Sequence, residues 1–369
     1  MTTQGFPTSL GGQTQIDIRA IEHELNELWK SAAQGDDDLP AQVTRACTLN
    51  LIAVIHGSAA EHAITAAVDR LTGTHPHRAI VVNVDLDSDQ NDPPIEAWVQ
   101  AHCQLPTPGR PQVCCEQITI TARGEGIMRV PGTILPLLVP DVPVVVWYPE
   151  GEPFGDPLFE KLAELADRVV VDSEQFVDPE GGLRRLADRV SQEPPVGDLA
   201  WGRLTIWREL VAQCFDANTL LPQLHTLDRV RITYGARCSR VPALLLVAWL
   251  SARLGWKLVG RSGPTESITL RMERPNGEVR LELRRSTTGV NEGHLSSIEL
   301  HGPDLRILVA PGERPETLLT RIEALGRPTL LRGAPWQRID AAELLAAELR
   351  LLSRDRPYEV VAHHAATII

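Results

Sequence analysis

The chain has 369 residues, of which 43% are hydrophobic and 23% are charged, and its formal net charge at pH 7 is −12. This length suffices for two or three domains, and the acidic balance argues against general nucleic-acid binding because acidic surfaces repel phosphates. No apolar run approaches the roughly 20 residues that span a bilayer, and the N-terminus lacks the basic and apolar regions of a secretory signal. We therefore expect a cytoplasmic protein that binds neither nucleic acid nor membrane.

Residues 1–40 are predicted to form a polar tail followed by an amphipathic helix. Thr14 and Asp17 are spaced to cap this helix, and its apolar face carries Ile18, Ile21, Leu25, Leu28, Trp29 and Ala32. We expect the face to dock on the chain's own domain, and docking on a partner is the alternative that the sequence leaves open.

A βαβ unit follows, and it lacks a phosphate-binding loop. The apolar run at residues 47–56 (CTLNLIAVIH) is typical of a buried parallel strand, as is the run at 79–84 (AIVVNV). Between them a helix begins at Ser58, and Glu61 is spaced to complete a capping box. The turn His56-Gly57-Ser58 stands where dinucleotide enzymes carry G-x-G-x-x-G. The scaffold therefore suits a nucleotide enzyme, but the loop that would approach a pyrophosphate is missing.

The same alternation continues to residue 195. It predicts a short helix after Pro93-Pro94, and further helices at Pro131–Leu138, Pro157–Ala166 and Leu183–Val190. Strands are predicted at Val113–Thr121, Val142–Trp147 and Arg168–Val171. Alternating strands and helices favour a mostly parallel sheet with helices on both faces. We assign this α/β domain to residues 41–195.

The pattern changes after Pro194-Pro195. A bridging helix is predicted over residues 196–225, and a smaller α+β domain with antiparallel hairpins over 226–369. Asn276-Gly277 is the preferred type I′ hairpin turn between two alternating strands. Helices are predicted at Val241–Leu254, near Glu316–Leu325 and at Ala341–Leu352.

The six cysteines are predicted to be mostly reduced core thiols, which is the usual state of buried cysteine in a reducing compartment. Cys114 and Cys115 are the candidates for a redox role. Adjacent strand side chains point to opposite faces, so these two cannot form an unstrained bond with each other. A disulfide with a distant cysteine stays open. His75-Pro76-His77 is predicted to be a turn, because no further ligands at metal-binding spacing accompany it.

The second domain has the strongest charge signal. From Asp228 to Val290 there are twelve basic and five acidic residues, a net charge of +7 within a chain of −12. Cross-strand Arg–Glu pairs in the hairpin are one explanation. The other is a docking face for an acidic protein or a phosphorylated ligand, because Arg suits carboxylate and phosphate.

The chain contains no G-x-S-x-G, Walker A or H-E-x-x-H motif, so we expect no catalytic residues, metal or cofactor. Glu125 and Glu150 follow predicted strands, where α/β enzymes keep catalytic groups, but neither has an evident partner.

Several stretches together resemble the OpcA family, the glucose-6-phosphate dehydrogenase assembly proteins of cyanobacteria and actinobacteria. The stretches are RACTLNLIAV, THPHRAIVVNVD, QVCCEQITI, LLVPDVPVVVWYP, LADRVVVDS and LAWGRLTIWREL. The resemblance implies a protein that is not an enzyme and that binds glucose-6-phosphate dehydrogenase. Such a protein promotes the active oligomer of the dehydrogenase and raises its activity, which feeds the oxidative pentose phosphate pathway and NADPH supply. In cyanobacterial members this activation is thought to respond to thioredoxin, which makes thioredoxin a second expected partner.

For the partner interface we select Trp201, Trp207, Arg237 and Arg240, because Trp and Arg dominate interface energetics. Either Trp is equally well explained as core. The rival hypothesis is a nucleotide- or sugar-phosphate-binding enzyme that uses the carboxyl ends of the first sheet.

Overall fold

A computed structural model of the chain describes residues 21–27, 43–87, 93–103, 112–216, 220–275, 277–287, 295–314, 316–351 and 353–369. Its strands are β1 Val43–Arg45, β2 Leu49–His56, β3 His77–Asp85, β4 Ile95–Cys103, β5 Gln112–Arg123, β6 Val144–Tyr148, β7 Arg168–Val171, β8 Val196–Asp198, β9 Arg229–Tyr234, β10 Lys257–Ser262, β11 Ser267–Arg274, β12 Gly277–Arg285, β13 Leu295–Gly302, β14 Leu305–Pro311, β15 Thr317–Ala324 and β16 Leu330–Pro335.

The α-helices are numbered in chain order. They are α1 Ser58–Leu71, α2 Val130–Ile134, α3 Pro157–Ala163, α4 Pro179–Val190, α5 Leu199–Arg203, α6 Thr205–Gln213, α7 Leu221–Leu224, α8 Val241–Leu254, α9 Ala341–Glu348 and α10 Arg356–Ile368. Residues 21–27 are also helical. Of the predicted N-terminal helix, only this stretch lies within the described residues.

The chain divides into two compact units. Unit 1 comprises the described residues of Met1–Asp172, Glu193–Gly197 and Ala341–Ser353. Unit 2 comprises those of Ser173–Gln192, Asp198–Asp340 and Arg354–Ile369.

Unit 1 is built on a mostly parallel sheet, sheet A, in the order β1-β5-β3-β2-β6-β7-β8, with β4 antiparallel beside β5. The apolar runs β2, β3 and β6 form its centre and pair in parallel, as continuous apolar strands should. The predicted parallel α/β fold is confirmed. The strand order reverses between β2 and β6, which is the point where open α/β sheets usually bind ligands.

Helix α1 covers this sheet with the predicted apolar face. Ala60, Ile64, Val68 and Leu71 are all buried. Gly57 precedes the helix at φ 78°, a conformation that favours glycine, and its cap has no side-chain hydrogen bond. The helix therefore begins at Ser58, as the helical spacing of its apolar residues predicted.

Two predicted helices are strands in the structure. The segment after Pro93-Pro94 is β4, because its backbone pairs antiparallel with β5 along Ile95–Cys103 and covers that edge of the strand. The segment 316–325 is β15, in which Leu318, Thr320 and Ile322 alternate with outward side chains and are buried. The apolar pattern of each segment is short enough to fit either a helix or a strand. Backbone pairing with a neighbouring strand made both of them strands.

Unit 2 is built on a second, mostly antiparallel sheet, sheet B, in the order β10-β11-β12-β9-β13-β14-β15-β16. Strand β9 pairs parallel to β12 and antiparallel to β13. The predicted hairpin is correct, since β11 and β12 pair up to Arg274 opposite Gly277. The inner face of β9 (Val230, Ile232 and Tyr234) is buried, and the almost wholly buried helix α8 packs on it. The expected α+β architecture with antiparallel hairpins is confirmed.

A buried ion pair holds α9 in unit 1. Arg168 on β7 is fully buried, and its Nη2 lies 2.6 Å from Oε2 of Glu348 at the end of α9. Its Nη1 donates to the carbonyl oxygen of Ser353 at 2.8 Å. A Cβ at Gly197 would meet both the Glu348 carboxylate and the Arg168 guanidinium, so only glycine fits beside the pair. Residues 180 positions apart are thus joined at one point.

We expect Glu348→Ala to lower the free energy of unfolding by about 3–5 kcal/mol, because it leaves the Arg168 charge buried without its carboxylate. Urea unfolding followed by circular dichroism measures this. The matched control is Glu343→Ala on the exposed side of the same helix, for which we expect a change below about 1 kcal/mol. Equal losses for the two variants would contradict the assignment.

Candidate functional site

The edge of sheet A at the strand-order reversal carries an acidic side chain near the place where nucleotide enzymes bind a phosphate. The helix α1 begins there, and Glu61 lies in its first turn. Burial raises the pKa of Glu61, and its Oε2 is 3.5 Å from Nδ2 of Asn83 on β3. A helix N-terminus attracts anions through its dipole and its free N–H groups. Here an acidic side chain lies in the first turn of the helix, and its negative charge when ionised disfavours a phosphate.

A second acidic group at this edge is neutralised internally. Asp85 ends β3, the position from which dinucleotide enzymes reach a ribose. Its Oδ2 accepts from Nε of Arg123 at 3.0 Å, and Nη1 of the same arginine donates to Glu96 at 2.8 Å. Glu125 and Glu150 are exposed. This edge offers ion pairs, and we find no pairing of a nucleophile with a base among its described residues.

The two selected tryptophans lie in the core of unit 2. Trp201 is 4% exposed, the Arg208 guanidinium carbon lies 3.3 Å from its ring centroid, and its Nε1 donates to Asp355 at 3.2 Å. Trp207 is 3% exposed and makes an edge-to-face contact with Trp336 at 6.2 Å. Their aromatic faces are used within the unit. In this conformation neither presents a ring to a partner.

The two selected arginines are nearer the surface. Arg237 is exposed. Nη2 of Arg240 lies 3.0 Å from Oε1 of Glu180, which also accepts from Nη2 of Arg261 at 2.6 Å. The hydrogen bond from Arg261 is the main reason that the pKa of Glu180 is lowered. The four selected residues therefore do not share one surface, because the tryptophans are buried.

The candidate redox residues differ in their chemical state. Cys114 is buried and disulfide-bonded, and the strand register places Cys103 opposite it across β4 and β5. Cys115 is a buried thiol that accepts from the backbone N–H of His77 at 3.3 Å, and burial raises its pKa. The expectation of reduced thiols is wrong for Cys114. Sequence separation hid the neighbouring strand that brings a second cysteine into register.

The segment His75-Pro76-His77 is a turn into β3, as predicted. His77 is 1% exposed, and its Nδ1 donates to the carbonyl oxygen of His75 at 2.7 Å. Burial lowers its pKa from 6.5 to about 4. Neighbouring Arg78 is bound by Glu116 and Glu22, each at 2.7 Å, so it is not available as an anion site. Within the described residues no group of three or more His, Cys, Asp or Glu side chains is arranged to hold a metal ion.

Five basic side chains form one cross-strand row on the outer face of sheet B, which we call the basic row. The register places Arg271 opposite Arg280, Arg280 opposite Arg229, Arg229 opposite His301, and His301 opposite Arg306. Each of them is next to at least one buried inner-face residue along its strand, and the four arginines are exposed, so the row lies on the outer face. Like charges directly opposite each other destabilise a sheet. One of the Arg–Glu pairs expected within the hairpin is formed on the diagonal, where Nη1 of Arg271 lies 4.0 Å from Glu278, although the residue directly opposite Arg271 is Arg280.

The next row on the same face is paired, and we call it the ion-pair row. Glu282, Arg231 and Glu299 are opposite one another in that order. Nε of Arg231 donates to Glu282 at 3.0 Å, and its Nη1 lies 3.5 Å from Glu299. The bond to Glu282 is the main reason that the pKa of Arg231 is raised. In the basic row, Arg271 lies 4.0 Å from Glu278, and His301 and Arg306 lie 3.3 and 3.6 Å from Glu299. Its central members, Arg229 and Arg280, face each other beside this row of paired charges.

Comparison with known proteins shows matches along most of the chain. Residues 68–188 match the OpcA family model described as the glucose-6-phosphate dehydrogenase subunit N-terminal domain. Residues 194–362 match the model of the corresponding C-terminal domain. None of the helices in the described ranges has the length and apolar character needed to cross a membrane.

Among sequence relatives, the chain is 32% identical over 198 residues to an OxPP cycle protein OpcA of Synechocystis sp., which is 53% of this chain and 40% of the relative. It is 32% identical over 211 residues to the protein of that name in Nostoc punctiforme, which is 55% of this chain and 44% of the relative. With the protein of that name in Synechococcus elongatus it shares 28% over 306 residues, covering 77% and 66%. The match therefore spans less than half of the first two relatives.

Solved structures with a similar course of the chain are dehydrogenases and oxidoreductases. Levoglucosan dehydrogenase in complex with NADH has 13% identity and a TM-score of 0.47, covering 87% of this chain and 95% of that one. An oxidoreductase of Klebsiella pneumoniae has 12% identity and a TM-score of 0.48, covering 87% and 92%. Likenesses this distant carry no information about activity.

We expect the buried His77 to make the chain less stable in mild acid. The unfolded chain takes up this proton near pH 6.5 and the folded chain only near pH 4. The contribution of His77 to the free energy of unfolding is therefore fully present above pH 6.5. About 3 kcal/mol of this free energy is lost as the pH falls toward 4. His77→Asn keeps a donor for the His75 carbonyl and removes the titration.

The measurement is the midpoint of urea unfolding at pH 7 and pH 4.5 for both chains. We expect a smaller difference between the two pH values for His77→Asn than for the natural sequence. A control substitution at the exposed His62 should leave the difference unchanged. An undiminished pH dependence in His77→Asn would contradict the prediction.

Proposed function

Because this chain belongs to the OpcA family of glucose-6-phosphate dehydrogenase assembly proteins, we propose that it is a non-catalytic assembly factor and allosteric activator of glucose-6-phosphate dehydrogenase. It acts by binding the dehydrogenase directly in the cytoplasm, and so supports the oxidative pentose phosphate pathway and NADPH supply.

The observation that carries this proposal is the match of both family models, one after the other, over residues 68–362 with a short gap. The geometry of sheet A agrees with it. The turn after β2 has one glycine, and the acidic Glu61 lies in the first turn of the helix whose N-terminus would face a phosphate. A protein that acts by binding another protein needs the α/β fold but does not need a phosphate-binding loop.

An activator of this kind must bind the active form of its target more tightly than the inactive form. A difference of about 3 kcal/mol in binding free energy changes the ratio of the two forms more than 100-fold. An interface that supplies it buries on the order of 1,600 Å² in total. We infer that the contribution of this chain is such a surface.

Redox control is the finer part of the proposal. The disulfide at Cys114 is a bond that a dithiol reductant of the thioredoxin type can open. Cys114 lies on β5, near the edge of sheet A and flanked by β3 and β4, so opening the bond would act on this edge of the sheet. Cys115 takes no part in that bond and has a raised pKa, which makes it a poor nucleophile.

The rival function is a nucleotide- or sugar-phosphate-binding enzyme at the edge of sheet A. Asp85 favours it, since it stands where dinucleotide enzymes bind a ribose. Its ion pair with Arg123 and the position of Glu61 oppose it.

We expect the isolated chain to show no dehydrogenase activity. Mixed with purified glucose-6-phosphate dehydrogenase of the same organism, it should co-elute on a sizing column at micromolar concentrations and raise kcat or lower KM. Separate elution and unchanged kinetics would contradict the proposal. The rival predicts a rise in Tm with a panel of nucleotides and sugar phosphates, because a ligand that binds only the folded state stabilises it; we expect a flat Tm.

We expect reduction to change activation through Cys114. Dithiothreitol or reduced thioredoxin should alter the activation by the natural chain, and Cys114→Ser should show the reduced behaviour under both conditions. Cys115→Ser, the matched control, should respond to reductant as the natural chain does. The readout is dehydrogenase activity, and an identical response of all three chains would exclude this switch.

A further inference from the structure

The basic row on sheet B is an electrostatic arrangement that the fold itself does not need. Arg229 and Arg280 are exposed and directly opposite each other across the parallel strands β9 and β12. Among the described residues neither forms an ion pair with a carboxylate. A glutamate at either position would give favourable cross-strand neighbours, as Glu282 does one row away. The repulsion between Arg229 and Arg280 therefore lowers stability, and the pair gives the fold nothing in exchange.

We propose that the basic row is the surface by which this chain docks on an acidic patch of the dehydrogenase. The inference rests on the proposed function and adds the surface to it. With strands about 4.8 Å apart, the five positions span about 19 Å. Arginine at such a contact forms bidentate hydrogen bonds with carboxylates.

The charges beside the row favour a protein partner over a nucleic acid. The ion-pair row carries Glu282 and Glu299 one step along the strands, about 6.8 Å away. These carboxylates would repel a phosphate backbone laid across the sheet, and the chain as a whole is acidic at −12. A protein surface of mixed charge can match both rows.

A second copy of the chain fits the same face poorly. A two-fold contact sets the same patch of both subunits against each other. The central pair Arg229 and Arg280 would then face its own copy, and like charges brought together at an interface cost several-fold in affinity. The occupant is a surface of opposite charge.

An apolar strip continues the face toward the sheet edge. Leu308 on β14 and Leu331 on β16 stand on either side of Arg321 in the register, and Leu331 is 55% exposed. In the neighbouring row Leu319 is opposite Gly333. Apolar area next to arginine is the composition of interface hot spots. The strip supplies the water-excluding part of the contact and the basic row its specificity.

The test compares two double variants with the same change in net charge. R229Q/R280Q neutralises the centre of the basic row. R184Q/R253Q, the control, neutralises two exposed arginines of unit 2 that lie on the helices α4 and α8. The Kd for purified glucose-6-phosphate dehydrogenase is measured by biolayer interferometry at 50 and 300 mM NaCl, and urea unfolding is measured for each chain alone.

We expect R229Q/R280Q to raise the Kd at least about tenfold and to reduce its dependence on salt, because two charges leave the contact. Its urea midpoint should be equal to or higher than that of the natural chain, since a repulsion is removed. R184Q/R253Q should stay within about twofold in Kd. A residue with a merely structural role would lower the midpoint, so the two readouts separate the roles.

The outcomes that overturn the inference are distinct. If the natural chain binds and R229Q/R280Q binds equally well, the surface is wrong and the proposed function stands. If the natural chain does not bind the dehydrogenase, both fall. Binding of a labelled DNA duplex that R229Q/R280Q abolishes, or self-association that it abolishes, would assign the row to those occupants and overturn the docking inference.

Discussion

The hydrogen-bond register of sheet B determines which charges face one another on its outer face. That register is locked from the other side, where Val230, Ile232, Leu281 and Leu283 are buried in alternation. A slip by one residue would turn every buried side chain to solvent, at a cost far above any surface repulsion. The core therefore holds Arg229 beside Arg280 against their own electrostatics, and the outer surface is a consequence of the inner packing.

Unit 1 has the α/β fold of many ligand-binding proteins, but the edge of its sheet where ligands usually bind carries charged side chains of the chain itself. The strand order reverses between β2 and β6 as in ligand-binding α/β sheets. At that edge the fold places Glu61 at the positive end of a helix and ties Asp85 to Arg123. These contacts satisfy charges internally, where an enzyme would leave them for a substrate.

Contacts between residues far apart in the chain hold each unit together. Arg168 and Glu348 close unit 1 across 180 positions. Asp198 does the same in unit 2, where it accepts from the hydroxyls of Ser173 at 2.6 Å and Tyr358 at 2.9 Å. Arg168 and Asp198 are fully buried, and Glu348 is nearly so. Buried polar groups of this kind are costly unless every partner is present, so they specify one arrangement of the returning chain.

Local periodicity was sufficient for much of this fold. The strands β2, β3 and β6, the helix α1 and the β11–β12 hairpin could be predicted because the pattern of each is carried by contiguous residues. The missing phosphate loop and the family resemblance are likewise properties of contiguous residues. The positive charge of the second domain could be counted from the sequence, but the arrangement of the charged residues on the sheet could not be predicted from it.

Tertiary structure alone decided the rest, because it depends on which distant segments pair. β4 and β15 are strands through backbone pairing with neighbours, although their short apolar patterns also fit a helix. The burial of Trp201 and Trp207 and the disulfide at Cys114 depend on partners more than ten residues away or on another strand. The basic row draws its members from five strands. A sequence states how many charges there are; only the register states that they are side by side.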